Sequence, residues 1–117
     1  MDYQSLYDKA MKISPAIRYA TITDINGKIK QSGHRKGVKN LLTSKESLQS
    51  LKLSANMWKA RNKLSSKIGK GKYALAEYEK IKRIVMPLGN AHLLYLTTSA
   101  RADHTKIISK ATRLRLK

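Results

Sequence analysis

The chain has 117 residues and sets 25 Lys and Arg against 7 Asp and Glu, a formal net charge of +18 at pH 7. Its 41% apolar content excludes wholesale disorder at that charge, and its length suits one basic domain over residues 1–117 with a real core. The lack of cysteine excludes disulfide and thiolate chemistry, and with no signal-peptide pattern and no apolar run of about 18–20 residues the reading is a cytoplasmic protein without membrane insertion.

From Met1 to Ile13, Tyr3, Leu6, Tyr7, Ala10 and Met11 recur at helical spacing, and Ser14-Pro15 ends the predicted helix. Residues Ile17 to Asp24 are rich in β-branched side chains and precede Asn26-Gly27, whose preference for positive φ marks a tight hairpin. The returning strand, Lys28 to Ser32, alternates so that Ile29 and Gln31 share one face and Lys28 and Lys30 the other. A glycine-punctuated loop, Gly33 to Asn40, follows with Arg35, Lys36 and Lys39. Thr43 and Glu46 then form a capping-box signature, opening a helix that runs to about Ile68, where Gly69 and Gly71 close it.

Around this long helix, Leu48, Leu51, Ala55 and Trp58 lie on one side. On the opposite side fall Leu53, Met57, Ala60, Leu64 and Ile68, and between the two runs a stripe of Lys45, Lys52, Lys59, Lys63 and Lys67. One apolar side suits a sheet. The other needs a second cover, from the terminal helices or from another copy of the chain. Three strands are predicted next, at Tyr73–Tyr78, Lys80–Pro87 and His92–Thr98, with Leu93 to Leu96 apolar enough for a central strand covered on both faces. Asp103 caps a last helix with Ile107, Ile108, Ala111 and Leu114 inward.

The expected architecture is therefore α/β (α+β), in the order α-β-β-α-β-β-β-α. That order, the Asn26-Gly27 hairpin and the doubly apolar middle helix resemble the roadblock and profilin-like folds, which implies a five-stranded antiparallel sheet with helices packed on it. The phrases GHRKGVKNLLT (residues 33–43) and IGKGKYALAEYEKIKRIVMPL (68–88) also resemble a small archaeal family that supplies no known active residues. In roadblock proteins the long helix and a sheet edge build homodimers that serve small GTPases. The resemblance thus implies a homodimer interface at Leu53, Met57, Ala60 and Leu64.

The charge points elsewhere, toward a polyanion. A surface of this sign draws nucleic acid and releases its counterions, so the leading expectation is DNA or RNA bound with little sequence specificity. Its contacts would come from Lys28, Lys30, His34, Arg35, Lys36 and Lys39 around the first hairpin. Lys52, Lys59 and Lys63 on the helix and Arg113, Arg115 and Lys117 in the tail would extend that surface. A roadblock-like interaction module for a GTPase or signalling complex is the alternative. A ribonucleoprotein component and a peripheral membrane adaptor rank behind both.

No catalytic set emerges. His34, His92 and His104 lack the spacing and thiol partners of a zinc site, Glu77 and Glu79 are expected to pair with Lys72, Lys80 or Lys82, and no serine sits in a nucleophile elbow. Lys67 to Lys72 departs from a P-loop in its glycine spacing. No enzyme activity, cofactor, metal or small-molecule substrate is expected.

Overall fold

Five antiparallel strands form one sheet whose central member is the last in sequence. A computed structural model describes residues 2–115. It contains α1 (Tyr3–Met11), β1 (Ile17–Asp24), β2 (Ile29–His34), α2 (Ser44–Asn62), α3 (Ser65–Ile68), β3 (Ala74–Glu77), β4 (Ile81–Leu88), β5 (His92–Ser99) and α4 (His104–Ala111). The strand order is β2-β1-β5-β4-β3. The expected α/β order is present, with α3 added after α2.

β5 sits centrally because its run of apolar residues can be covered on both faces. Leu94 and Leu96 join Leu6 and Ala10 of α1, Ala20 and Ile22 of β1, Ile84 and Met86 of β4 and Ile107, Ile108 and Ala111 of α4 in the larger core. Leu93 and Tyr95 point the other way, to Leu51, Ala55 and Trp58 of α2 and Val85 of β4. The terminal helices therefore cover one face and the long helix the other. The two clusters account for the alternation of Ile84 and Met86 with Val85 along β4.

The hairpin turn lies where expected, with Gly27 at φ 89. Asp24 closes it by accepting from the backbone N–H of Asn26 (2.9 Å) and of Lys28 (3.0 Å). β2 departs from the expected alternation. Ile22 lies opposite Gln31 but Thr23 opposite Ile29, so Lys30 is an extra residue in a bulge. Ile29 and Gln31 consequently face opposite sides. Ile29 lines the α2 side, whereas the Gln31 amide donates to Gln4 of α1 (3.0 Å).

The long helix also ends earlier than its periodicity implies. Lys63 N–H donates to Ala60 O and Leu64 N–H to Arg61 O, three-residue bonds that tighten the last turn before α3.

Candidate functional site

The apolar side chains of α2 are divided between core and solvent. Its start is fixed locally: the Thr43 hydroxyl accepts from Glu46 N–H (3.1 Å), and the Glu46 carboxylate accepts from Thr43 N–H (2.9 Å). Leu51, Ala55 and Trp58 then bury against the sheet. The opposite side does not. Leu53 is 61% exposed and Met57 44%, with Ala60 exposed beside them, and past the end of α2 Leu64 is 54% exposed and Ile68 of α3 79%. A line of apolar side chains this open to water calls for a partner surface.

The flank of the line is cationic. Lys52, Arg61, Lys63 and Lys67 are exposed, while Lys59 is half-buried and its ammonium donates to the Asn26 side chain.

Beneath the N-terminal half of α2 a cleft of about 940 Å³ opens between helix and sheet. Tyr19, Thr21, Thr97 and Arg83 form its floor, with Leu41, Leu48 and Ser47 above. The Arg83 guanidinium crosses it to the Ser50 hydroxyl. Sequence reasoning missed this cleft. Its signal was Ser44, Ser47 and Ser50, small residues where a helix covering a sheet usually carries large ones. At the cleft's edge, burial pushes the Tyr95 hydroxyl above its ordinary pKa, partly offset by a hydrogen bond with Thr23 and by the Arg83 charge.

The expected phosphate contacts do not gather. Lys28 and Lys30 are exposed on the β2 edge, and Lys36 and Lys39 on the following loop. Arg35 is committed elsewhere. Its Nε donates to Ile17 O (2.8 Å), and its Nη2 to Met11 O (2.8 Å) and Ser14 O (2.9 Å), so it fastens the α1–β1 turn. His34 lies beside Tyr19, with its Nδ1 3.0 Å from Arg35 O. Lys52, Lys59 and Lys63 belong to the α2 face of the sheet. Arg113 and Arg115 follow α4, which packs on the other face. Arg115 donates back to Thr112 O and Leu114 O, and Lys117 lies outside the described residues.

Lys82 is buried on the α1/α4 side, where its ammonium donates to Ala102 O (2.8 Å) and lies 2.9 Å from His104 Nδ1. The expectation that it would serve Glu77 or Glu79 is thereby corrected: strand alternation turns it inward, with Ile84 and Met86. Trp58 and Tyr95 are core residues, as their apolar neighbours indicated, and Tyr73 and Tyr78 are exposed.

Among the described residues no group of three or more His, Cys, Asp or Glu is placed to hold a metal. No buried side-chain nitrogen or oxygen among them lacks a partner. No helix among them is long and apolar enough to cross a membrane.

No family model and no curated protein matches the sequence. Solved structures do match. The gliding protein MglB from Thermus thermophilus superposes with a TM-score of 0.75 at 17% identity, over 94% of this chain and 82% of that one. A Roadblock/LC7 domain from Streptomyces avermitilis gives 0.73 at 13%, over 95% and 89%. Myxococcus xanthus MglB gives 0.71 at 15%, over 96% and 92%.

These likenesses overturn the expectation that DNA or RNA is the partner. These three structures are of MglB and a Roadblock/LC7 domain, not of nucleic-acid-binding proteins. The placement of the cations agrees, since they lie on both faces of the sheet and Arg35, the best phosphate fork among them, is tied to three carbonyls. At identities this low the relation is one of architecture, and that architecture is the roadblock fold.

Proposed function

We propose that this chain is a non-catalytic, cytoplasmic protein-interaction module that pairs with a second roadblock-fold chain through the outer face of α2. The paired surface would then serve a protein partner, a small GTPase being the class that the roadblock resemblance implies. The observation that carries this reading is the exposed line of Leu53, Met57 and Ala60 on α2, whose other side is already used by the sheet, continued past its end by Leu64 and by Ile68 of α3. Fold and stability do not require that line, because the core is complete without it. A matching structure is of MglB with a tetrameric arrangement, at a TM-score of 0.76 and 17% identity, which supports assembly as a use of this fold.

The test is assembly in 300 mM NaCl, where charge is screened. Light scattering should give a mass rising with concentration from one chain toward two. The variant Leu53→Asp/Met57→Asp should remain a single chain, with its thermal unfolding close to that of the parent. Assembly of the double variant to the same extent as the parent would move the interface away from α2 and end the proposal.

A further inference from the structure

The face that α2 offers for pairing has a single anion, Glu46 in the first turn, to answer its cations. Between Glu46 and Glu77 the sequence contains no acidic residue, while Lys52, Arg61, Lys63 and Lys67 stand exposed beside the apolar line. Glu46, at the start of the helix, already accepts from Thr43 N–H. Lys59 is held by a neutral partner, Asn26.

A twofold pair of identical helices brings the same patch to both sides of the interface. An antiparallel pair sets each flank against its own copy, and a parallel pair sets it against the opposite flank. Beyond Glu46 in the first turn, either arrangement sets cation against cation or a neutral group, because no acid follows along the helix. Apolar contact and charge are therefore in conflict in a self-pair. They agree only when the opposing helix is acidic.

We infer that the preferred occupant of the α2 outer face is an acidic amphipathic helix on a different chain, rather than a second copy of this one. The inference rests on the reading of α2 as the pairing face, and it names the chemistry of the partner: an apolar line to meet Leu53, Met57 and Leu64, flanked by Asp or Glu at the height of Lys52, Lys63 and Lys67. The rest of the chain supports it, since the surplus of positive charge extends over the whole molecule. A polyanion without apolar groups would satisfy the lysines and leave the line in water.

A charge-reversed copy of the full chain supplies the probe. Lys52, Lys63 and Lys67 are exposed, so Lys52→Glu/Lys63→Glu/Lys67→Glu leaves the core untouched. Self-pairing of the parent, self-pairing of the variant and their mixed pairing are measured by sedimentation in 50 and 300 mM NaCl. The mixed pair should be at least about tenfold tighter than the parent self-pair at 50 mM, and the advantage should shrink at 300 mM. The neutral triple variant with Gln at the same positions should fall between, which also serves if the glutamates disturb folding. Equal affinity for self and mixed pairs, or a preference indifferent to salt, overturns the acidic-partner inference and leaves α2 pairing intact. A mixed pair that survives Leu53→Asp/Met57→Asp in the parent overturns instead the assignment of α2 as the interface. Tight binding of an oligonucleotide, unaffected by that same double substitution, would make the lysines a polyanion site and also count against it.

Discussion

Arg35 and Asp24 are charged residues of the first hairpin region whose work is structural. The three carbonyls that Arg35 holds come from the end of α1, the turn after it and the start of β1. Hydrogen bonds from a charged donor contribute roughly 1.5–3 kcal/mol, and removing one partner leaves the others short of donors. Arg35→Ala should therefore lower stability by about 2 kcal/mol in urea titration. Arg35→Lys should recover little of it, because an ammonium cannot reproduce the planar fork. Asp24 works through acceptance. The backbone N–H of Lys28 is the main influence holding its carboxyl below the ordinary range; burial opposes it, and the smaller effects of Asn26 N–H and of the Lys30 and Lys28 charges add to the lowering. A carboxyl whose pKa falls on folding stabilises above its unfolded pKa and loses that effect as pH drops through the folded value. The stability gap between the parent and Asp24→Asn should be constant near neutrality and close in acid, below the usual aspartate range. A gap that persists unchanged through acid would show that the carboxylate charge is irrelevant to the turn.

At the scale of the element, α2 is specified twice, once by its cap and once by its buried side. The capping box was legible as Thr43 and Glu46 and is formed by both of its hydrogen bonds. Thr43→Ala should cost about 1 kcal/mol in chemical unfolding, and a loss near zero would mean that packing of Leu51, Ala55 and Trp58 alone sets the helix start. The outer side packs on nothing within the fold and, on the proposed reading, serves association. Periodicity identified it because a helix face is a matter of spacing alone. The tightened turn at Lys63 was not legible, since the apolar spacing continues through it to Ile68. β2 shows the same limit. Its two-residue period is clear in sequence, but the bulge at Lys30 arises from pairing with β1 and reverses the face of Ile29 relative to Gln31.

For the molecule as a whole, the charge of +18 is a cost of folding, because a compact chain brings like charges closer than an extended one. The melting temperature should rise between about 20 and 300 mM NaCl as screening shortens from tens of ångströms to less than ten. A flat response would mean that the cations are too far apart in the fold to repel one another appreciably. Their distribution is what the sequence could not convey. The chain by itself determined its element order, its caps, its first turn and the two-sided character of α2, since each depends on residues within a few positions of one another. Only the tertiary structure decided that Arg35 turns to three main-chain carbonyls, that Lys82 lies inside with His104, and that the cations of α2 and of the C-terminal segment are separated by a sheet. Composition fixes how much charge a chain carries; packing between distant segments fixes where that charge points.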